Sequence, residues 1–498
     1  MDLSIKKNDR PNYGILAILM TGAFIAFLNN TLLNIALPSI MVDLQVETAT
    51  VQWLTTGFML VNGIMIPTTA FLIQKYSVRR LFLTAMGLFT FGTIVAGLAH
   101  VFPLLLAGRM LQASGTAIMM PLLMNVMLVS FPVEKRGSAM GIFGLILMAA
   151  PSIGPTLSGW IVEHYDWRML FHFVTPIAVG VLLIGFFLLK DKKEKVDIRL
   201  DLFSLLLSSV GFGGILYGFS SAGNKGWESP EVFLTIIVGC ISLVSFILRQ
   251  SKQTRPMLNF SIFKYPMFAL SSSITMVLNM AMFSGMLLLP IYVQTVRGIS
   301  PFDAGLLMLP GALTMAFMSP ITGKLFDKYG GRLLAIIGLS ITVVTTYLFS
   351  TISLDTSYQY LMILNTVRMF GISMVMMPVS TNGLNQLPAR FYPHGTAMNN
   401  TLNQVSGAIG TALLVTVMSN RAASSSASLA AETGQVSEAI AVRAMLEGIN
   451  FAFFISSFIA VAALILAFFI KRARQEEDQI ETPSSDEEGV PSLVGSNS

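Results

Sequence analysis

Charge is scarce in this chain. Asp, Glu, Lys and Arg make up 11% of its 498 residues, against roughly 25% in a soluble domain. With 54% hydrophobic residues and a mean hydropathy of +0.71, that scarcity excludes a soluble globular protein and implies a membrane protein. Cysteine is nearly absent. Cys240 alone, set in an apolar run, excludes both a disulfide framework and a cysteine metal site. The four histidines, His100, His164, His172 and His394, are scattered without metal-ligand spacing. No Walker loop, GxSxG elbow or HExxH pair occurs. A pump with its own ATPase domain in this chain is excluded, and neither enzymatic chemistry, a cofactor nor a metal is expected.

Long apolar runs are plentiful. Crossing about 30 Å of hydrocarbon takes around 20 apolar residues. By that ruler the chain holds fourteen spans, at about 14–38, 51–73, 81–99, 103–129, 138–162, 168–189, 201–220, 231–249, 266–293, 303–323, 333–353, 358–380, 396–418 and 448–470. The first is too long, and lacks the small-residue exit, for a cleaved signal peptide. With the N-terminus placed inside, 24 of the 31 Lys and Arg fall in inside segments and five outside, with Arg109 and Arg368 within spans. That bias predicts both termini in the cytoplasm. It also explains the pI of 9.2 by topology, so no nucleic-acid partner is expected. The boundaries read as a cytoplasmic N-terminus (1–13), a six-helix half (14–189), an inserted helix pair (190–265), a second six-helix half (266–470) with an outside loop near 419–447, and an acidic tail (471–498). The loop, rich in Ala, Ser and Glu, is expected to form a hairpin or short helix, and the tail to be disordered.

An internal repeat supports the two halves. PTTAFLIQKYSVRR (Pro67 to Arg80) returns 253 residues later as PITGKLFDKYGGRL (Pro320 to Leu333). Arg109-Met110 is echoed by Arg368-Met369, and Gly137-Ser-Ala-Met140 by Gly395-Thr-Ala-Met398. Parallel halves about an axis along the membrane normal place a substrate site between them near the midplane.

Over about residues 12–470 the sequence resembles the major facilitator superfamily, in particular its fourteen-span drug:proton antiporters. The resemblance rests on LNNTLLNIALP (Leu28 to Pro38), QWLTTGFMLVNGIMIP (Gln52 to Pro67) and GRMLQASGTAIMMP (Gly108 to Pro121). GPTLSGW (Gly154 to Trp160), Asp166-Trp167-Arg168, LPIYVQTVRGISPFDAGLLMLPG (Leu289 to Gly311) and HGTAMNNTLNQVSGAIGTA (His394 to Ala412) add to it. It implies an all-α fold of two six-helix halves plus two inserted helices, exporting amphiphilic drugs by proton antiport through rocker-switch alternating access. A multi-pass monomer in the cell membrane of a bacterium is the accompanying expectation. It also implies that the loop pattern G-x-L-x-D-x-x-G-R is a cytoplasmic latch whose Asp caps a neighbouring helix. Gly323, Asp327, Gly330 and Arg332 retain that pattern, with Arg79 and Arg136 as basic companions. The first copy has Ala70, Gln74 and Ser77 instead, and a plain positive-inside anchor is the alternative reading of the loops. Gly154, Pro155 and Gly159 match the antiporter motif of span 5, or else form a packing kink.

The charge inventory departs from the family. None of the 26 acids falls at the centre of a span. The family's span-1 motif L-D-x-T supplies a buried acid, and here it reads Leu28-Asn29-Asn30-Thr31. Arg109 and Arg368 lie inside the membrane, where ionisable groups are costly and suggest function; alternatively carbonyls and Asn29, Gln112 or Asn365 satisfy them structurally. A neutral or net-positive cavity favouring anionic or neutral amphiphiles follows. Proton coupling then falls to a peripheral group, with Asp303, Glu163 and His172 as candidates. Asn29, Asn34, Gln52, Gln112, Asn279, Asn365, Asn399, Asn403 and Gln404 supply neutral polarity, lining the cavity or bridging helices. The 31 methionines suit a plastic pocket or ordinary core filling. An exporter of an endogenous anionic metabolite or signalling molecule, a nutrient importer, and a non-transporting membrane sensor are the rival readings.

Overall fold

The computed structural model describes residues 13–46, 48–51, 53–190, 201–253, 256–433 and 438–471. Gln52 and the acidic tail from 472 onward lie outside the described residues, as do the side chains of Asn34 and Pro155. The described residues form helices and turns without a strand. The first six long helices are α1 (Tyr13–Leu44), α2 (Trp53–Lys75), α3 (Val78–Gly97), α4 (Phe102–Ser130), α5 (Arg136–His164) and α6 (Met169–Leu188). An inserted pair follows, α7 (Leu202–Lys225) and α8 (Pro230–Lys252). The second half comprises α9 (Pro266–Ile291), α10 (Pro301–Tyr329), α11 (Gly331–Phe349), α12 (Tyr358–Ser373), α13 (Met376–Leu384), α14 (Tyr392–Thr433) and α15 (Glu438–Ala467).

Local chemistry sets the helix ends. Ser77 caps α3 by accepting from Arg80 N, and Ser300 caps α10 by accepting from Asp303 N. Proline opens α8, α9 and α10, where its missing N–H leaves no bond unmade. Gly330 ends α10 at φ +81°, a conformation that disfavours any side chain. The two parts of α2, Trp53–Met65 and Thr68–Lys75, meet at 52°, with Pro67 of the sequence in the break.

Twelve helical stretches among the described residues are long and apolar enough to cross a membrane, or thirteen if the bent α2 is one span. The expected fourteen is therefore not reached on that measure. The 29-residue α5 is the long helix missing from it. At 42 residues α14 is about 63 Å long, roughly twice the hydrocarbon thickness. Its far end packs along the start of α15, where Ser425 Oγ donates to Glu447 Oε2 at 2.8 Å.

The halves meet along two seams. One joins α5 to α10. The other joins α2 to α14, and α7 packs against both of its helices. At the N-terminus of α7, Asp201 accepts from Phe203 N and Ser204 N and pairs with Arg249 of α8 at 2.8 Å. The Arg249 bond, with help from Ser204 and Gln253, holds the Asp201 carboxyl below the ordinary carboxylate range. A depressed carboxylate adds stability above the unfolded value near pH 4 and loses it only in stronger acid. The wild-type melting temperature should therefore show no loss from this group between pH 7 and pH 5. Asp201→Asn should lower it at both values, as a fluorescence melt in detergent would record.

Candidate functional site

The α5–α10 seam is built from residues with almost no side chain. A Cβ on Gly137 would stand 2.4 Å from Asp327 Oδ1 and 2.6 Å from the Gly323 carbonyl oxygen. One on Gly141 would stand 2.6 Å from Ser319 O. Gly137, Gly141 and Gly144 thus let α5 approach Ser319 and Gly323 of α10 to backbone contact. Ser319 Oγ fastens the crossing by donating to Gly141 O at 2.8 Å.

At the end of this seam, Asp327 of α10 receives three hydrogen bonds from the first turn of α5. Gly137 N donates to Oδ1 at 2.8 Å, while Ser138 N at 2.8 Å and Ser138 Oγ at 2.5 Å donate to Oδ2. A carboxylate there satisfies orphan N–H groups and meets the positive end of the helix dipole. The cap comes from the opposite half of the molecule. Beside it, Arg136 reaches across to Tyr392 Oη at 2.7 Å and Asn385 Oδ1 at 3.2 Å, its guanidinium 5.0 Å from the Tyr392 ring centre. Gly323 and Gly330 sit in the crossing and the turn. Arg79 does not join this group. It donates to Phe186 O at 3.1 Å, tying α3 to α6 within the first half. Arg332 is exposed at the start of α11. Gln74 donates to Ala70 O of its own helix at 3.0 Å.

The two guanidinium groups within the bundle are almost fully buried, Arg109 at 1% exposure and Arg368 at 0%. Arg109 donates to Asn30 Oδ1 at 3.0 Å and Gln112 Oε1 at 2.9 Å, and lies 4.4 Å from the Phe58 ring centre. Gln112 passes the chain on to Thr93 Oγ1 at 2.9 Å. Arg368 instead donates to Ala281 O of α9 at 2.7 Å and Thr346 Oγ1 of α11 at 3.2 Å, and its guanidinium rests on Gly285. The repeat makes the difference legible. Thr93 and Thr346 stand 253 residues apart, as the repeated loops do, but where the first half has Gln112 the second has Gly371. Gln112 stands between Arg109 and Thr93 of α3, and Arg109 turns to α1 and α2, whereas Arg368 bonds the equivalent threonine of α11 directly.

The remaining polar residues divide. Asn279 Nδ2 donates to Asn403 Oδ1 at 2.8 Å, joining α9 and α14. Among the described residues, buried Asn29 has no partner for Nδ2, and Asn365, buried beside Gly311, has none for either amide atom. Gly154 packs against Thr31 of α1, while Gly159 faces open space. Asp303, Glu163 and His172 are exposed at helix ends. Asp303 accepts from Ser300 Oγ at 2.8 Å, and the His172 ring lies over Gly97. Ser138, Asn30, Ser319 and Tyr392 were not foreseen. The helix-start pattern at Gly137-Ser138 was the available signal for the first of them. A small apolar crevice behind the seam is lined by Gly144, Met315, Ser319, Ser373, Met376 and Met377.

Known proteins place this architecture. The chain is 47% identical over 479 residues to "Uncharacterized MFS-type transporter YcnB" of Bacillus subtilis (strain 168), covering 96% of this chain and 99% of that one. It is 43% identical over 462 residues to "Lincomycin resistance protein LmrB" of the same organism, covering 92% and 96% respectively. The fold matches the crystal structure of the human organic anion transporter MFSD10 (TETRAN) with a TM-score of 0.67 at 14% identity, over 92% of this chain and 100% of that one. Residues 19–411 match the model of the Major Facilitator Superfamily, and the chain belongs to that family of multi-pass membrane transporters.

Proposed function

We propose that the protein exports small amphiphilic molecules across the cell membrane by proton antiport, through rocker-switch alternating access. The observation that carries this reading is the Asp327 cap on α5. It is a charge-assisted contact between halves at one end of the bundle, of the kind that alternating access must break and remake. The Lys and Arg bias assigns that end and both termini to the cytoplasm. The lincomycin-resistance relative supports an antibiotic-like substrate. Metabolite export and import remain rival uses of the same fold.

The buried guanidiniums bear on substrate charge. Arg109 is surrounded by neutral amides and an aromatic face, which favours neutral or anionic amphiphiles over dications. In reconstituted vesicles with an imposed pH gradient, neutral and anionic probes should move faster than a dicationic dye. Equal transport of the dication would overturn the charge preference, and no gradient-driven flux of any probe would overturn export itself. Coupling is assigned to the peripheral groups. Among Asp303→Asn, Glu163→Gln and His172→Gln, at least one should uncouple flux from the pH gradient; unchanged flux in all three rules that assignment out.

A further inference from the structure

The inserted pair α7–α8 covers the α2–α14 seam, so its attachment decides what happens when that seam opens. The pair is internally stiff. Gly214 and Gly239 bring the two backbones together, with a Cβ on Gly214 only 3.0 Å from Gly239 Cα. Ser242 Oγ donates to Leu207 O at 2.9 Å. Asp201, Ser204, Arg249, Gln250 and Gln253 form one hydrogen-bonded cluster at the latch end, where Gln250 Nε2 donates to Ser204 Oγ at 2.7 Å.

The pair's described hydrogen bonds outward lead to the second half. At the far end Trp227 Nε1 donates to Thr416 Oγ1 of α14 at 2.6 Å. At the latch end Leu258 N donates to Gln250 Oε1 at 3.2 Å, and the next residue, Asn259, donates through its N–H to His394 Nδ1 of α14 at 3.2 Å. Phe246 of α8 packs edge-on against Phe260 of the same connecting segment, ring centres 5.8 Å apart. Toward α2 the contacts are apolar. A Cβ on Gly63 would lie 2.1 Å from Leu216 Cδ1, one on Gly213 would lie 3.2 Å from Ile64 Cδ1, and Trp53 stacks on Tyr217 at 5.8 Å. Apolar faces slide at little cost, whereas directed hydrogen bonds in a low-dielectric setting resist shear.

We infer that α7–α8 is carried by the second half as a shutter that slides across α2 while staying fixed to α14. The inference rests on the alternating-access reading above. Its consequence concerns the bilayer: α7 keeps the α2–α14 seam covered through the cycle. The α5–α10 seam, flanked by the exposed apolar side chains of Ile142 and Phe317, is left as the side open to membrane-dissolved amphiphiles.

Spin labels at exposed latch-end positions test the motion. Leu188 reports the first half, Leu248 the pair and Leu333 the second half. Each two of them are changed to cysteine in a Cys240→Ser background, in nanodiscs, with Asp327 or with Asp327→Asn to release the latch. Pulsed dipolar distances should shift or gain a second population for 188/333 and 188/248, and stay unchanged for 248/333. A 248/333 distance that moves along with 188/333 would overturn the shutter while leaving alternating access standing. A 188/333 distance that never changes would overturn both.

Discussion

Asp327→Asn is expected to reduce transport by at least tenfold while the protein still inserts and folds. The carboxylate faces three donors, two backbone N–H groups and the Ser138 hydroxyl. An asparagine offers one acceptor oxygen to them and turns its NH2 group toward what the other oxygen accepted, so of the three attractive contacts at least one backbone N–H contact becomes a repulsion. It also removes the negative charge from the positive end of α5. Hydrogen bonds to a charged group contribute about 1.5–3 kcal/mol, and the helix-end charge about 0.3–1 kcal/mol more. A loss of about 2 kcal/mol from the closed arrangement moves the balance between states roughly thirtyfold. Uphill flux in vesicles, normalised to the amount of inserted protein, measures this. Ser138→Ala removes one of the three donors and should fall between Asp327→Asn and wild type. Gln74→Ala should stay within about twofold of wild type, since Gln74 bonds its own helix at Ala70 O and an exposed or local bond is worth about 1 kcal/mol or less. A Gln74→Ala variant more damaged than Asp327→Asn would show that the first loop is the working latch.

The family resemblance implied that Asp327 caps a neighbouring helix, and the parts of that contact are local in the sequence. A glycine that must adopt positive φ, an acid one turn before it and a helix start at Gly137-Ser138 are short-range patterns. The all-helical, many-span character was equally plain, since apolarity over 20 residues is a direct demand of the bilayer, although the described helices give twelve or thirteen spans by that measure and not fourteen. What escaped were facts of helix rotation and long-range packing. Asn29 and Asn30 are neighbours in sequence but point about 100° apart around α1, and only the packing of α1 decides that Asn30 meets Arg109. Arg79 looked like a latch cation by its place in the repeat. Its acceptor, Phe186 O, lies 107 residues away in the same half. The bridging position of α7 across the α2–α14 seam left no periodic signal, because a lipid-facing helix and a seam-covering helix are apolar alike. The missing acid at position 29 was visible at once, yet the residue that takes the arginine was not.

The two buried arginines, equivalent in the repeat, should respond in opposite ways to the same change. Arg109→Gln is expected to lower transport tenfold or more with little change in melting temperature. Its acceptors are the side-chain amides of Asn30 and Gln112, which can turn toward one another or toward the new amide, and Gln112 keeps its own bond to Thr93. Removing a charge from the membrane interior also relieves a burial cost of about 2.5–3.5 kcal/mol on insertion scales. What disappears is the positive charge that Arg109 turns toward α1 and α2. Arg368→Gln is expected to do the reverse, with flux per folded molecule largely retained and a melting temperature several degrees lower. That guanidinium ties a backbone carbonyl of α9 to a hydroxyl of α11 and fills the space over Gly285. The shorter amide reaches neither partner well, and each buried group left unpaired costs about 1–3 kcal/mol. Arg109→Lys and Arg368→Lys sharpen the contrast. Lysine restores charge but not the fork, so transport recovering in Arg109→Lys would show that charge alone is needed there, whereas Arg368→Lys should remain unstable. Loss of stability at Arg109 with loss of flux at Arg368 would assign the working charge to the second half instead.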